Sequence, residues 1–352
     1  MWAKIAAAFG TPILAATLVV GILVATHHKV VPAKIFPSLS QAARLAESSA
    51  GAKKTWPPSC KAHTLPKRFA GIALKRKIER NTETFMKKVT GQRPQIVEFY
   101  NKFLKAFAEK QAMQVVRAGE IPLIQLNYYH VSVPKIAEGI YDHRLIRYAD
   151  AVKSFPCTIM LSLGHEMNGW WYPWGSSRGV TPGEFIAAWR HIHDIFAQQG
   201  ARNVIWSWDP THQYKSPPAP NKIATPASQW YPGPKYVDWV GIDGYLNYDK
   251  DGHPQNFHEI FDYQIRDIRR VAPNKPMYLA ETAVPKGSAS TTQIENLFSG
   301  LTAYHLRGLV WFDAIGRIDQ TGKHKEFRLQ IRPADAAHYK EQLSRFLRRG
   351  AL

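Results

Sequence analysis

The chain is poor in cysteine and lacks the motifs of common metal and nucleotide sites. Two cysteines, Cys60 and Cys157, occur in 352 residues, and they allow either one disulfide in an exported protein or two unpaired buried thiols. Position 169 is glycine, so His165 and Glu166 do not begin an HExxH zinc motif. No glycine-rich phosphate loop follows the first apolar run. We therefore expect no metal and no organic cofactor.

Acidic residues are also few relative to basic ones. The chain has 46 lysines and arginines against 27 aspartates and glutamates, which gives a net charge of +19. Such a charge favours anionic surfaces such as acidic polysaccharide, phospholipid or nucleic acid, although it also serves general solubility. Because the basic residues are dispersed and no nucleic-acid motif accompanies them, nucleic acid is not an expected partner.

The N-terminal segment differs from the rest of the chain. Residues 5–26 carry no charged side chain, and a segment of that length spans a bilayer. Residues 24–26 make a poor cleavage site, which favours an uncleaved anchor over a removed signal peptide, with a buried soluble helix as the third alternative. We predict a signal anchor or signal peptide over 1–27, a linker over 28–62 and a folded domain over 63–352. Membrane attachment through residues 5–26 and an extracytoplasmic location, membrane-anchored or secreted, are expected.

Short apolar runs alternate with helical patterns from residue 68 onward. The eight runs are 69–74, 96–99, 121–126, 158–163, 204–208, 237–242, 277–280 and 309–312. Helical spacing covers 140–154, 257–270 and 291–304, and a further helix begins at a Thr181-Pro182-Gly183-Glu184 cap and ends at Gly200. This alternation predicts an α/β fold, a closed (β/α)8 TIM barrel, with a doubly wound sheet as the alternative.

Polar residues follow several of the predicted strands, at the edge where barrel enzymes place their chemistry. Glu166 comes just after the fourth run and Glu281 just after the seventh. A lone glutamate at a strand end is more often part of a salt bridge or a loop hydrogen bond. Two glutamates on opposite walls of one barrel mouth are the pair that glycoside hydrolysis requires, one as the acid and the other as the nucleophile or base.

Aromatic side chains surround the first of these glutamates. The segment from Gly164 to Gly175 reads GHEMNGWWYPWG, and an acid beside flat aromatic faces is typical of carbohydrate sites. Trp171 and Trp174 are candidate sugar platforms, and His165 and Asn168 are candidate substrate-binding residues. His165 alone would be interpreted as a structural histidine, but beside Glu166 it is a candidate to orient the acid or a sugar hydroxyl.

This segment resembles the acid/base segment of glycoside hydrolase family 26, whose best-known members are β-mannanases. The resemblance rests on His165-Glu166-Met167, on Trp171 and on Trp174-Gly175. It extends over residues 68–315 and includes residues 141–142, 185–189, 203–208, 237–245 and 281–282. The resemblance implies a retaining enzyme of clan A with a (β/α)8 barrel.

The resemblance also implies a role for individual residues. Glu166 is the proton donor (acid/base), Glu281 is the nucleophile, and Tyr245 hydrogen-bonds the nucleophile. Trp171 and Trp311 correspond to sugar-stacking positions. The chain departs from the family pattern at Tyr172-Pro173, where further aromatics are common, and at Ala283-Val284, where a glycine is usual. These departures bear on substrate preference more than on chemistry.

The expected function is therefore that of a retaining, endo-acting β-glycoside hydrolase on β-1,4-mannan or a related β-glycan. Two alternatives remain open: hydrolysis of an acidic exopolysaccharide, and a non-catalytic role in polysaccharide binding or export. The expected partner is a polysaccharide substrate, and the protein is expected to be a monomer.

Overall fold

Eight parallel strands close into a barrel, as the alternation of strands and helices predicts. The computed structural model describes residues 65–75, 78–212, 225–249, 251–318 and 324–349. Adjacent strands pair in parallel, and β1 pairs with β8 from Phe69↔Gly308 to Ala73↔Phe312, which closes the barrel. The barrel strands are β1 (Phe69–Ala73), β2 (Ile96–Lys102), β3 (Ile121–Asn127), β4 (Ile159–Leu163), β5 (Val204–Trp208), β6 (Trp239–Asp243), β7 (Met277–Thr282) and β8 (Gly308–Phe312).

The helices cover the outside of the barrel, and the four predicted helices are confirmed. The helices are α1 (Ile78–Phe85), α2 (Glu109–Arg117), α3 (Val133–Ala137), α4 (Asp142–Lys153), α5 (Pro182–Gln199), α6 (Phe257–Val271), α7 (Ser290–Ala303) and α8 (Pro333–Arg348). A π-helical turn, Met86–Thr90, continues α1. A hairpin of β9 (Ile315–Ile318) and β10 (His324–Glu326) precedes α8.

Capping residues explain why α5 and α6 begin where they do. The Thr181 hydroxyl accepts the Glu184 N–H, the Glu184 carboxylate accepts the Thr181 N–H, and Pro182 takes the first helical position. Asn256 and Glu259 form the same reciprocal capping box at α6. Such a cap contributes about 1 kcal/mol of stability. The left-handed Gly200 (φ 77°) then ends α5.

The connection between β5 and β6 departs from the regular alternation. Its described part contains a 3₁₀ turn, Ala227–Trp230, and no α-helix, while residues 213–224 lie outside the described residues. Every residue of β1, β3, β4, β7 and β8 is buried. This is the pattern of a parallel sheet that is covered by helices on one face and filled by side chains on the other.

Several predictions concern residues outside the described part of the chain. The hydrophobic segment 5–26 and the linker 28–62 belong to that group, so both stay predictions. No helix within the described ranges is long and apolar enough to cross a membrane. Cys157 is buried and disulfide-bonded, and Cys60, the other cysteine of the chain, precedes the described residues.

Candidate active site

Glu166 lies on a tight turn just after β4, at the mouth formed by the carboxyl ends of the strands. Gly164 (φ 55°) and Glu166 (φ 54°) both adopt left-handed backbone conformations. A Cβ at Gly164 would lie 2.9 Å from the Tyr128 ring, so glycine is required there. The Glu166 N–H donates to the Asp209 carbonyl at 2.7 Å. A left-handed glutamate costs roughly 1–3 kcal/mol, and such strain is found most often at functional sites.

The carboxyl group of Glu166 contacts the aromatic segment that follows it. The Trp171 indole N–H donates to Glu166 Oε2 at 2.6 Å. Trp171 is half-buried, and its ring meets that of the half-buried Trp170 edge to face, with centroids 4.7 Å apart. Trp171 therefore orients the acid and also keeps part of its ring open at the mouth.

His165 is packed beneath this turn. Its Nδ1 lies 3.0 Å from Asn127 Oδ1, at the end of β3, and its Nε2 lies 3.1 Å from the Tyr172 hydroxyl. The Tyr172 ring stacks on Trp174 with centroids 4.4 Å apart and planes 8° apart. The Trp174 indole N–H donates to the His165 carbonyl at 2.8 Å. These contacts hold the segment around Glu166 in one conformation.

Glu281 lies near the end of β7, across the mouth, and accepts two tyrosine hydroxyl hydrogen bonds. Tyr100 donates to Oε2 and Tyr245 donates to Oε1. Burial, and then the charge of Glu281, raise the pKa of both tyrosines well above the ordinary range, so both hydroxyls remain protonated donors. The negative charge of Glu166 also raises the pKa of Tyr245, so both glutamates are close enough to act on this hydroxyl.

Tyr245 is held by aromatic rings from the end of the chain. Its ring stacks on Phe327, with centroids 5.1 Å apart, and meets Phe312 of β8 edge to face at 6.0 Å. The Trp311 indole N–H donates to the Phe327 carbonyl at 3.0 Å. The segment after β10 therefore supports the tyrosine that contacts Glu281.

Three further carboxyl groups are buried in the barrel near the two glutamates: Glu98 of β2, Asp209 after β5 and Asp243 of β6. Asp209 accepts hydrogen bonds from Ser207 Oγ at 2.5 Å and Gln125 Nε2 at 3.0 Å. The carboxyl oxygens of Asp243 have no hydrogen-bond partner within the described ranges, whereas Gln125 interacts with the Glu98 carboxyl group.

Burial dominates the titration of these acids. It raises the pKa of Glu98 well above the ordinary range, and the charges of Glu281 and Asp209 add to the effect. Burial, followed by Glu166 and Glu281, raises the pKa of Asp243 in the same way. A raised pKa favours the protonated, neutral form of both carboxyl groups.

Asn168 connects two loops of the mouth. Its Nδ2 donates to the carbonyls of Thr211 at 3.0 Å and Thr225 at 3.2 Å, and its Oδ1 accepts the Thr211 N–H at 2.9 Å. The loop after β4 is thereby joined to both ends of the β5–β6 connection, on either side of residues 213–224.

Four of the predicted substrate-binding residues are buried in the structure. Trp174, Trp311 and Asn168 have no exposed surface, and His165 is 2% exposed. A side chain without accessible surface cannot stack on a sugar, so the two tryptophans are packing residues and not platforms. Asn168 and His165 hold loops and rings in place through the hydrogen bonds above. Glu166, Glu281, Trp171 and Tyr245 are brought together at the mouth.

Sequence reasoning missed Tyr100 and Asn127. The predicted second strand ends at Phe99, whereas β2 continues to Lys102, so Tyr100 reaches the mouth. Asn127 is likewise the last residue of β3. The search for polar residues just past each strand, extended to the second and third strands, would have found both.

One group of side chains within the described ranges has the spacing of metal ligands, and it lies away from the two glutamates. Asp249, Asp251 and His253 are grouped on the loop after β6. The Asp249 carboxylate accepts the backbone N–H groups of Asp251 at 2.9 Å and His253 at 2.8 Å. These bonds are those of an ordinary aspartate-centred turn.

Two glutamates at the mouth of a parallel barrel, one beside tryptophan and the other beside two tyrosines, match the arrangement that glycoside hydrolysis uses. Related proteins place the chain within that class. The chain belongs to glycosyl hydrolase family 26, whose profile matches residues 109–287, just over half of the 352 residues.

Relatives and solved structures agree with this family. Endoglucanase H of Acetivibrio thermocellus is 30% identical over 238 residues, which is 65% of this chain and 25% of that protein. A mannan endo-1,4-beta-mannosidase of Bacillus subtilis is 29% identical over 157 residues, 36% of this chain and 41% of that protein. The chain thus spans less than half the length of these curated relatives. The structure of GH26C from Muricauda sp. MAR_2010_75 matches with a TM-score of 0.57 at 17% identity, over 79% of this chain and 86% of that chain, and shows the same fold.

Proposed function

We propose that this protein is an endo-acting, retaining β-glycanase, with β-1,4-mannan as its first candidate substrate. The observation that carries the proposal is the unlike surroundings of the two glutamates. Glu281 accepts two hydroxyl hydrogen bonds, an environment that favours an ionised carboxylate. Glu166 Oε2 accepts the Trp171 indole N–H beside the open aromatic surface. The first environment suits a nucleophile and the second an acid that exchanges its proton.

The proposed reaction has two displacements. Glu281 attacks the anomeric carbon while the glycosidic bond breaks and Glu166 gives its proton to the departing oxygen. Water then attacks the same carbon, Glu166 takes the water proton, and the bond to Glu281 breaks. The tyrosine hydroxyls of Tyr100 and Tyr245 hold the Glu281 carboxylate in line for both steps. Trp170 and Trp171 offer partly open rings on which a sugar can stack.

The first test measures the release of reducing sugar from β-1,4-mannan by wild type, Glu166→Ala and Glu281→Ala. We expect kcat to fall about 10²–10⁴-fold in Glu166→Ala and more than about 10³-fold in Glu281→Ala. Glu138→Ala, an exposed glutamate on α3's C-terminal side, is the matched control and should keep full activity. Equal activity of wild type and Glu281→Ala on every polymer would refute the assignment.

The stereochemistry of the first product tests the retaining mechanism separately. Proton NMR of the early reaction should show the β-anomer before mutarotation, since two displacements restore the starting configuration. An α-anomer as the first product would contradict double displacement and indicate a single displacement by water. Binding without turnover in wild type, unchanged by loss of either glutamate, would instead support a polysaccharide-binding or export component.

β-Glucan is the second candidate substrate, because one relative of 30% identity is an endoglucanase. An acidic exopolysaccharide is the third, and the net charge of +19 is what supports it. A panel of mannan, mixed-linkage glucan, xylan and polygalacturonate distinguishes them by kcat/KM. Activity on mannan alone that does not change with salt would count against the acidic polymer.

We also propose that the protein acts outside the cytoplasm, anchored or secreted. Two observations support this location. The uncharged segment 5–26 is long enough to enter a membrane, and Cys157 is disulfide-bonded, which is typical of oxidising compartments. Fractionation of cells, with the protein detected in membrane and external fractions, tests it. Detection in the soluble cytoplasm alone would refute it.

A further inference from the structure

The base of the barrel, opposite the mouth, presents a concentration of positive charge. Parallel strands all begin at this face, so the loops that precede them share it. Six cations there form what we call the basal cationic surface: Lys67, Arg68, Lys235, Lys275, Arg307 and Arg349. All six are exposed or partly exposed.

Hydrogen bonds connect these loops to one another. Arg307 Nη1 donates to the Lys67 carbonyl at 3.3 Å, which joins the loops before β8 and β1. Lys275 Nζ donates to the Pro234 carbonyl at 2.8 Å, beside Lys235 and before β6. The six cations therefore belong to neighbouring loops of one face and are not scattered over the protein.

Arg68 shows that like charges meet on this face. Its Nη1 donates to the Phe346 carbonyl at 2.8 Å, and its guanidinium lies over the Phe346 ring. Partial burial, and then the positive charge of Arg349, lower the pKa of Arg68 below its ordinary value. The two guanidinium groups repel each other, and an anionic partner would relieve that repulsion.

Helix-dipole and ion-pair roles do not account for the surface. Cations at the last turn of a helix stabilise the helix dipole, but five of the six residues lie in loops, with Arg349 alone at a helix end. Within the described ranges none of the six forms an ion pair, whereas Arg93 and Arg345 on the same side do, with Glu120 and Glu341.

Within the described ranges, two acids lie in the loops of this face. Glu120, before β3, is buried and pairs with Arg93. Asp238 is exposed in the loop before β6, and its carboxylate accepts the Trp206 N–H at 2.8 Å. One exposed carboxylate beside six cations leaves the surface positive.

We propose that the basal cationic surface docks on an anionic phospholipid surface and holds the barrel mouth away from it. Charge complementarity is the first support, because each lysine or arginine near an anionic bilayer adds to the attraction. The course of the chain is the second. Leu65 leads into β1 at the base, so the described chain enters the barrel on this face, downstream in the sequence of the uncharged segment 5–26. Docking there would direct the mouth toward polymer outside the membrane.

The test uses the full chain and co-sedimentation with two kinds of vesicle. One kind contains phosphatidylcholine alone, and the other contains phosphatidylcholine mixed with phosphatidylglycerol. Any insertion of segment 5–26 contributes to binding of both kinds of vesicle. The difference in binding between the two kinds therefore reports the contribution of lipid charge. We expect wild type to bind the anionic vesicles at least about tenfold more tightly at low salt, and this preference to shrink at high salt.

Matched variants locate the effect. K67Q/K235Q/K275Q should lose most of the preference, whereas K102Q/K110Q/K135Q, which removes three exposed lysines on the mouth side, should keep it. Chemical acetylation of the protein bound to anionic vesicles gives an independent readout. Lys67 and Lys235 should be protected from acetylation, and Lys110 and Lys135 should stay reactive. Circular dichroism and unchanged glycan hydrolysis show that the variants fold.

Three results would overturn the proposal. Wild type could bind both kinds of vesicle equally. The two triple variants could lose binding to the same degree. Wild type could bind polygalacturonate through the basal lysines and show no preference for anionic vesicles, in which case the surface serves an acidic polymer.

Discussion

At the scale of single residues, hydrogen bonds distinguish the two glutamates more than their positions do. Both lie at the carboxyl ends of barrel strands, yet Glu281 accepts two phenolic hydroxyls whereas Glu166 accepts an indole N–H. The left-handed backbone conformation of Glu166 is unfavourable in free energy, and the hydrogen bond from its N–H to the Asp209 carbonyl helps to offset this local strain. The largest differences between the predicted and the observed roles concern tryptophans, because a tryptophan side chain suits a hydrophobic core and a sugar-binding surface equally well.

Removal of the Tyr245 hydroxyl should weaken catalysis with little effect on folding. A hydrogen bond to a charged group contributes about 1.5–3 kcal/mol, which corresponds to roughly a ten- to hundredfold loss of kcat/KM in Tyr245→Phe. Steady-state kinetics on the best substrate of the panel measure it. Tyr304→Phe removes a hydroxyl that donates to Asp262 on the outside of the barrel and should leave kinetics unchanged. A wild-type rate in Tyr245→Phe would show that Tyr100 alone orients Glu281.

Asp313 should make stability depend on pH. Burial raises its pKa from 3.8 to about 6, although the Leu329 N–H donates to its Oδ1 at 3.1 Å. The folded state then binds the proton more tightly than the unfolded state, so this group's contribution to stability is lost as pH rises from about 4 through about 6. The loss is at most about 3 kcal/mol.

Asp313→Asn keeps the acceptor oxygen and cannot ionise, so it should lack this loss. Urea unfolding at pH 4, 6 and 8 measures the free energy of unfolding of both proteins. Between about pH 4 and about pH 6, the free energy of unfolding of the variant should rise relative to that of wild type. At higher pH the difference between the two proteins should stay constant. A constant difference at all three values of pH would contradict a raised pKa.

At the scale of elements, the βα turns and capping boxes were readable from the sequence because each is a local pattern. Thr181, Glu184 and Gly200 lie in one helix and its caps, and the structure shows α5 between them. The strand ends were also readable, except where a strand runs beyond its apolar core, as β2 does to Tyr100. The connections between loops were not readable, since Asn168 and Thr225 are far apart in the sequence and meet only in the folded barrel.

Loss of the Asn168 side chain should loosen the mouth. Asn168→Ala would leave the buried polar groups of Thr211 and the Thr225 carbonyl without their partner, at a cost of about 2–4 kcal/mol in the free energy of unfolding. We also expect a higher KM, because the loops after β4 and β5 are no longer joined. Urea unfolding and kinetics measure the two effects. Asn274→Ala, an exposed residue at the base, should change stability by less than about 0.5 kcal/mol.

At the scale of the whole molecule, barrel closure brings together groups that the chain keeps far apart. Closure between β1 and β8 places Tyr100 of β2 within hydrogen-bonding distance of Glu281 on β7. The same topology gathers the loops before the strands at one face, where their cations adjoin. Cations that are far apart in the sequence, such as Lys67, Lys275 and Arg307, are thereby brought to one face of the barrel.

Reduction of the disulfide should destabilise the barrel as a whole. Cys157 lies just before β4 and is buried. A native disulfide that closes a long loop contributes about 2–5 kcal/mol. Urea unfolding with and without dithiothreitol should show this difference in wild type and none in Cys157→Ser. Wild-type stability that is insensitive to the reductant would contradict a structural role for the bond.

The sequence by itself determined the alternation of strands and helices, the barrel, and the placement of Glu166 and Glu281 at the carboxyl ends of their strands. These features follow from local periodicity, from capping, and from the rule that parallel strands end at one rim. Tertiary structure alone decided that Trp171 keeps an open face while Trp174 and Trp311 are buried, that Tyr100 donates to Glu281, and that Lys67 and Arg307 adjoin at the base. The physical reason is that exposure and hydrogen bonding depend on which distant segments pack together, and a local pattern is the same for a buried ring and an open one.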